Sequence, residues 1–513
     1  MLRRNRNRLL PLLAVWLTAL VGCATSAIDM APDHPDRPWV PATTAGGEII
    51  PGAKAVSPES GHADYTLPVN TALGNVPATP DIEPEHAYTL AELIDIAQSN
   101  NSLTRTAWNN ARETALAAGI AKSTYLPNLT ASAVGGYQST HDHESTLGLN
   151  LNQTTAEGVI SALSIQWLIF DFGERTAVIN AAQQTSVIAN IGFTAAHQQV
   201  IYAVSVAYYA ESAARARVET AARSLKNAQN VELAADARHA HGVGTVVEVA
   251  QARQATAQAQ LLHVQAMGVA QDAYQALLSA MGISPLTRLK VADLPERKLP
   301  AAETDSIERI VADALGRRPD VLAAYAAQKA SLENVRAARA EFLPKFFVSA
   351  TGAYNSGHLD VTAIPSIGQS PGAVNLTGNR FGGTVFAGIT VPVYDGGLRA
   401  AVLEQARAKA DSASLALSHT RDEAVRQIVL AQNALRTVLS AYSASTALTA
   451  AAETTFEAAF AAYRNGVGSI TDATVAETQL LQARNGSTDA YSAALSAAAT
   501  LALAVGGLGA APQ

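Results

Sequence analysis

The sequence predicts a mainly α-helical chain with membrane β-strands, assembled from two copies of one strand–strand–long-helix-hairpin repeat. Three observations predict it. Landmarks in the first half recur in the second at a nearly constant offset, as a duplicated fold requires. Two helical stretches of about 65 residues would each extend on the order of 100 Å at about 1.5 Å per residue. Four short segments alternate apolar with small or polar residues at period two, the pattern of membrane barrel strands. Composition agrees: about a fifth of the 513 residues are Ala, against 5% aromatic and 15% charged. Ala is the best helix former and lets helices approach closely, but a core made of it buries little apolar area. Helices packed on helices fit that composition; several large globular domains or a conventional enzyme core do not.

Taken in order, residues 1–22 read as a signal peptide. Arg3, Arg4, Arg6 and Arg8 precede an apolar run from Leu9 to Val21, too short for an ordinary transmembrane helix. The run ends in Leu20-Val21-Gly22-Cys23, which resembles the lipobox of bacterial lipoproteins. The resemblance implies a mature chain beginning at Cys23, its thiol carrying a diacylglyceryl group; plain cleavage near Ala24 is the alternative. Cys23 is the only cysteine, so no intrachain disulfide can form. The 36 basic and 43 acidic residues give −7, and loss of the four signal-peptide arginines leaves −11, so a nucleic-acid groove is not suggested. Residues 23–85 hold ten of the 21 prolines with little periodicity and read as a lipid-anchored, Pro-rich extended segment.

The remainder divides into a first repeat (86–285), a linker (286–305), a second repeat (306–505) and a C-terminal tail (506–513). Tyr125-Leu126-Pro127 is matched by Phe342-Leu343-Pro344. Phe170-Asp171-Phe172-Gly173-Glu174-Arg175 is matched by Tyr394-Asp395-Gly396-Gly397-Leu398-Arg399. His241-Gly242-Val243-Gly244-Thr245 is matched by Asn465-Gly466-Val467-Gly468-Ser469. Each repeat has the same grammar. A helix of about 35 residues (90 to 124, and 306 to 341) starts at a capping Thr89 or Ser306 with acids in its first turn. Two extended segments follow, separated by a polar, Gly-rich loop. A very long helix (173 to 240, and 397 to 464) then reaches a Gly-x-Gly turn, and a second long helix returns (245 to 281, and 469 to 504). Abundant Ala, Gln and Arg with sparse Leu, Val and Tyr predict close, coiled-coil-like packing without a thick Leu seam.

In the extended segments Leu129, Ala131, Ala133 and Tyr137 share one face, as do Phe346, Val348, Ala350 and Tyr354. Before Asp171 the apolar set is Leu163, Ile165, Trp167 and Ile169; before Asp395 it is Val385, Ala387, Ile389 and Val391. Four strands leave open edges, which a bilayer does not tolerate. Closure takes at least about eight strands, so the chain must oligomerise. A dimer of eight strands fills its interior with side chains, whereas a trimer of twelve leaves a lumen; strand arithmetic does not choose.

The chain resembles the TolC outer-membrane efflux family over about residues 86 to 505. The residues that carry the resemblance are Arg318-Pro319-Asp320-Val321-Leu322-Ala323-Ala324 and the Asp395-Gly396-Gly397-x-Arg399 junction, with Tyr463-Arg464-Asn465-Gly466-Val467-Gly468-Ser469 and Leu480-Leu481-Gln482-Ala483-Arg484. It implies a homotrimer whose twelve-stranded outer-membrane β-barrel continues into a periplasmic α-helical barrel, lined by a channel. It further implies a gate where the long helices meet in the turns formed by Gly242, Gly244, Gly466 and Gly468. Family members often place an Asp-x-x-Asp pair just after the second turn. Asp472 matches the first acid, but the second position is Val475; the first-repeat equivalents are Glu248 and Gln251. One acid per repeat would set six carboxylates around a trimeric tip if all faced inward, a ring that attracts cations. The alternative is that Asp472 and Glu248 simply favour the first turns of their helices. Asp171, Gly173 and Arg175, with Asp395, Gly397 and Arg399, mark the strand-to-helix junctions.

No enzyme constellation emerges. His141-Asp142-His143-Glu144 looks like a metal cluster but fits a solvated loop, because no second ligand group is evident. His239 and His241 fit helix C-terminal charge, and no phosphate-loop Lys follows either Gly-x-Gly. The expectation is therefore a non-enzymatic duct without cofactor or metal, lipid-anchored in the Gram-negative outer membrane and extending into the periplasm. Its implied partners are outer-membrane lipid, a periplasmic adaptor (membrane fusion) protein and an inner-membrane RND or ABC pump. A non-transporting structural envelope lipoprotein is the alternative.

Overall fold

The computed structural model describes residues 30–32, 35, 39–54, 66–74, 80, 82–141, 153–295, 299, 307–356 and 381–508. They fall into two units, one ending at Thr79 and the other beginning at Pro80. Cys23, Ser306 and residues 142–144 of the His-Asp-His-Glu run lie outside the described residues. In the first unit β1 (Pro41–Thr43) and β2 (Ile49–Lys54) pair antiparallel, so part of the segment expected as an extended tether is a hairpin.

The second unit holds both repeats. In chain order it comprises β3 (Ala87–Tyr88), α1 (Leu90–Asn100), α2 (Ser102–Ser123), β4 (Asn128–His141), β5 (Gln153–Phe170), α3 (Glu174–Ala240) and α4 (Val246–Met281). Then follow β6 (Lys290–Val291), α5 (Ile307–Leu315), α6 (Pro319–Ala340), β7 (Lys345–Asn355), β8 (Phe381–Thr390), α7 (Leu398–Arg464) and α8 (Ile470–Ala504). The long helices α3 and α7 have 67 residues each, about 100 Å of rod at ~1.5 Å per residue. Their bounds, and those of α4 and α8, fall within a residue of the sequence expectation.

The four long strands form one antiparallel sheet in the order β4-β5-β7-β8, with the two repeats joined through β5 and β7. Its register gathers the predicted apolar residues on one face. Leu129 pairs with Ile165, Ile165 with Ala350, and Ala350 with Val385. Trp167 pairs with Val348, and Val348 with Ala387. In the isolated chain this face is bare: Leu129 is 64% exposed, Leu163 52% and Val385 76%. On the opposite face Ile160 and Ala162 are buried. β8 ends at Thr390, so Val391 belongs to the link that follows. β4 and β8 each have a single neighbour, which leaves two unpaired edges.

Each helix expected over about 35 residues is broken, for a local reason. Between α1 and α2 Asn101 is extended (φ −68°, ψ 129°), and its side chain accepts the Leu103 N–H at 2.9 Å, capping α2. Between α5 and α6 Arg318 is extended (φ −68°, ψ 127°), as a residue before proline prefers. Both breaks receive the end of a returning helix. Asn101 Nδ2 donates to the Ala280 carbonyl near the end of α4 (3.1 Å), and an Arg318 terminal nitrogen donates to the Ala504 carbonyl closing α8 (2.7 Å). The buried Arg318 also donates to Asp320 at 3.0 and 2.6 Å and to Gln427 of α7 at 2.7 Å. At the α1 start, Glu92 accepts from the Thr89 N–H and hydroxyl, both at 2.8 Å, so the expected cap is formed.

The residues expected as a linker are partly woven into the first repeat. β6 pairs in parallel with β3, and Leu289 and Val291 join a buried cluster with Tyr88, Leu93, Val204, Tyr208, Leu277, Leu278 and Met281. Elsewhere the helices meet through small residues. The buried positions Ala221, Ser224, Ala228, Val231 and Ala235 of α3 alternate steps of three and four, and Ala410, Leu417, Ala424 and Ala431 of α7 recur every seven; both are coiled-coil spacings.

The seam between repeats, where α3 lies along α8, is polar and periodic. Tyr202 bonds Thr500 (3.2 Å), Ser492 donates to the Tyr209 carbonyl (3.0 Å), Arg217 donates to Asp489 (2.8 Å) and Ser224 donates to Glu477. Val231 and Ile470 then share one cluster, and Arg238 donates to the Tyr463 carbonyl at 3.3 Å.

Replacing Arg318 with Ala removes one charge from four hydrogen bonds and strands the Ala504 carbonyl and Gln427. The expected cost is about 3 kcal/mol, seen as a lower melting temperature by circular dichroism at unchanged helical content. An unchanged melting temperature would show that the break needs no such tie.

Candidate functional site

Two places in the second unit concentrate the residues singled out in the sequence: the strand-to-helix junctions and the helix-hairpin turns. At the first junction the chain leaves β5 through Phe172 and Gly173 at φ +52° and +94°; at the second it passes through Gly396 and Gly397 at φ +69° and +92°. These left-handed angles suit glycine, and Phe172 is the one non-glycine among the described residues that adopts such an angle. Asp171 holds its turn from both sides: it accepts from the Gly173 N–H (3.3 Å), the Arg175 N–H (3.0 Å) and Arg175 Nε (2.7 Å). Arg175 also donates to the Thr124 and Ile169 carbonyls, so one guanidinium ties α2, β5 and α3. Asp395 repeats the device, accepting from Gly397 N–H (3.1 Å) and Arg399 N–H (3.0 Å) with Arg399 Nε at 3.1 Å. Lys345 at the start of β7 pairs with Glu174 at the start of α3 (2.6 Å), tying the first junction to the second repeat's first strand.

Burial opposes charge on Asp171, but the Arg175 amide and guanidinium outweigh it and hold its carboxyl below the usual range. The Arg399 amide does the same for Asp395. All six junction residues named from the sequence are thus brought together, three in each copy.

At the other end of the long helices each Gly-x-Gly turn uses its glycines differently. Gly242 and Gly466 adopt φ +75° and +80° and follow the last helical residues of α3 and α7. Gly244 and Gly468 are needed for close approach: a Cβ would stand 3.0 Å from the Arg238 Cβ in one turn and 2.9 Å from the Ala462 Cβ in the other. Thr245 then caps α4 by accepting the Glu248 N–H (3.2 Å), and Ser469 caps α8 by accepting the Asp472 N–H (3.1 Å).

The two gate candidates therefore both sit in first helical turns, with different partners. The Asp472 carboxylate accepts from the Ser469 hydroxyl at 2.8 Å. Glu248 reaches into the other repeat. Its carboxylate accepts from the Tyr463 hydroxyl (3.3 Å) and faces Arg238 Nε at 3.8 Å, while the Arg238 guanidinium lies 5.1 Å from the Tyr463 ring centre. Tyr463 is almost fully buried, and burial, with Glu248 beside it, pushes its hydroxyl pKa up. Val475, where a second acid was sought, is half exposed.

Sequence reasoning missed Arg238 and Tyr463 as members of this knot. Their counterparts in the other repeat are Ala462 and His239, so a search for what recurs passes over them. The available signal was Tyr463 itself, an aromatic next to a tight turn in an Ala-rich helix.

Comparison with known proteins agrees with this architecture. A family model described as outer membrane efflux protein matches residues 93–283 and 310–507, one span in each repeat. Protein CyaE of Bordetella pertussis is 26% identical over 412 residues, 80% of this chain and 82% of that relative. Outer membrane protein OprJ of Pseudomonas aeruginosa is 24% identical over 379 residues, 74% of this chain and 75% of that one. The crystal structure of the Campylobacter jejuni CmeC outer membrane channel superposes with a TM-score of 0.69 at 20% identity, covering 82% of this chain and 85% of CmeC.

The junction acids make stability depend on pH in a fixed direction. A carboxyl lowered by folding contributes stability above its unfolded pKa of about 3.9 and loses that contribution as pH falls through the folded value. Asp171→Asn should cost about 2 kcal/mol at pH 7, the order of one charged hydrogen bond, and the gap to the unaltered protein should close below about pH 4. Thermal melts at pH 7 and pH 3 check this; a gap that persists at pH 3 would contradict it.

Proposed function

The chain belongs to the outer membrane efflux protein family, and from that premise we propose that it is the outer-membrane exit duct of a tripartite efflux or type I secretion system. The observation that carries the reading is one sheet with an exposed apolar face and two unpaired edges, continuous with helices of 67 residues. Three copies pair β8 of one chain with β4 of the next and close twelve strands, enough for a lumen. The helices then prolong that lumen into the periplasm. Conduction is passive, and the energy comes from an inner-membrane RND or ABC pump coupled through a periplasmic adaptor. Cys23 supplies a lipid anchor in the outer membrane.

The turns form the gated end. Glu248, Tyr463 and Arg238 join the α3–α4 hairpin to the α7–α8 hairpin, so the hairpins part only when this knot is released. Asp472 keeps the α8 start wound. Both acids act here as ties; the gate does not require a ring of free carboxylates.

Purified protein in a planar bilayer should open pores of small conductance, and the double variant Glu248→Ala, Asp472→Ala should conduct several-fold more. Pores unaltered by the double variant remove the gate assignment alone. The absence of current from both proteins removes the duct and favours a structural envelope lipoprotein.

Cys23→Ser should abolish incorporation of radiolabelled palmitate in growing cells. Continued labelling would place the anchor elsewhere.

A further inference from the structure

Between the two Gly-x-Gly turns lies an open cavity of about 620 Å³ whose lining includes Arg238, Val243, Asn465 and the exposed His241 and Arg464. Its polar lining is basic and amide, with no carboxylate. The acids of the neighbourhood lie outside the lining and each has a partner. Glu232 and Asp236 face Arg253 at 3.7 and 3.3 Å, Glu248 faces Arg238, and Asp472 accepts from Ser469. Arg238 is thus answered by one acid, and it reaches across to the second turn, where a Cβ on Gly466 would stand 3.2 Å from its terminal nitrogen. Among the described residues, neither His241 nor Arg464 has an ion-pair partner; the Arg464 guanidinium rests 5.8 Å from the Phe460 ring centre.

Cations at the C-terminal ends of two helices have an obvious partner in the last carbonyls, which carry partial negative charge. Here the turn amides take several of those carbonyls. Gly242 N–H donates to His239, and Val243 and Gly244 N–H both donate to Arg238; Gly466 N–H donates to Tyr463, and Val467 and Gly468 N–H both donate to Ala462. Arg238 spends its terminal nitrogens on the Tyr463 and Val243 carbonyls, both at 3.3 Å, which leaves the Arg464 guanidinium, the His241 imidazole and the Asn465 amide as the polar side chains of the lining. Such a set favours an oxyanion, which can accept several charge-assisted hydrogen bonds at once.

We propose that this cavity is an anion site that takes a small oxyanion, phosphate or carboxylate, held by Arg464 and His241 with Arg238 at its back. The site stands on the geometry of the turns; its consequence, an anion held at the periplasmic entrance, rests on the duct reading above. It differs from the expectation of a cation-attracting tip: Glu248 faces Arg238 and Asp472 accepts from Ser469, whereas His241 and Arg464 have no acid opposite them among the described residues.

Inorganic phosphate titrated calorimetrically into the detergent-solubilised full chain should bind saturably. Arg464→Gln and His241→Gln should each weaken binding about tenfold, the order expected for one charge-assisted contact, at unchanged helical content and elution volume. Succinate should compete with phosphate if carboxylates share the site. Phosphate binding indifferent to both substitutions, or magnesium binding in place of phosphate, would overturn the assignment. Bilayer conductance of the unaltered protein tests the duct separately, so a failure of phosphate to bind overturns the site and leaves the duct reading standing.

Discussion

The unpaired edge is the constraint from which the rest of the structure follows. β4 and β8 each present a row of amide and carbonyl groups with no partner in the same chain. Water can satisfy such groups, but hydrocarbon cannot, and each one left bare costs several kcal/mol. A chain of this family in the outer membrane must therefore borrow its missing neighbours from other copies. The walls below inherit the same incompleteness. Ala-rich helices bury little area within one chain, and apolar side chains of α2 such as Leu116 and Ile120 stay exposed in it; the bare apolar face of the strands is one that lipid covers in a membrane barrel. Composition, edge and oligomer are one problem.

The Asp–Gly–Arg junctions couple the two halves of that solution. The strand passes into the helix after three residues in the first copy (171–173) and seven in the second (391–397), through left-handed angles that ordinary residues resist. Asp171 and Asp395 offset this by gathering the amides of the turn and the arginine one helical turn on. The direction in which each 67-residue helix leaves the sheet is thereby set close to its origin. An error of a few degrees there would grow along some 100 Å of rod, which is reason enough for a charge-assisted tie at that place. The breaks at Asn101 and Arg318 serve a related end, each seating the terminus of a returning helix.

Much of this was legible in the sequence because it is written twice. The strand faces, the long helices and the junction residues obey periods of two, of three to four and of one repeat, and they emerged within a residue or so of expectation. What failed to show was local or asymmetric. Asn101 and Arg318 interrupt helices by backbone preferences at single positions, inside stretches whose composition stays helical. The linker's Lys290 and Val291 become a strand only because Ala87 and Tyr88 lie alongside, a contact of about two hundred residues' separation that no local pattern announces. The tip knot depends on Arg238 and Tyr463, which duplication does not share. The neighbouring His241 and Arg464 read as ordinary helix-end charges in the sequence, because no local pattern shows that the turn amides occupy several of the last carbonyls.

The polar seam between the repeats answers a difficulty that the small-residue design creates. Faces made of Ala at heptad spacing look nearly alike after a slip of seven residues, so apolar packing alone specifies register weakly. The rungs from Tyr202–Thr500 through Arg217–Asp489 and Ser224–Glu477 to Arg238–Tyr463 differ from one another in donor, acceptor and charge. A slip by one heptad would keep the Ala contacts and mismatch every rung, leaving the buried Ser224 and the half-buried Glu477 without partners. Burial raises the Glu477 carboxyl pKa, and the Ser224 hydroxyl and the field of Arg484 only partly counter it. A seam of leucines would bury more area and bind harder. The polar rungs give up some of that strength, and they fix the height at which Glu248 meets Tyr463 at the end of two long rods.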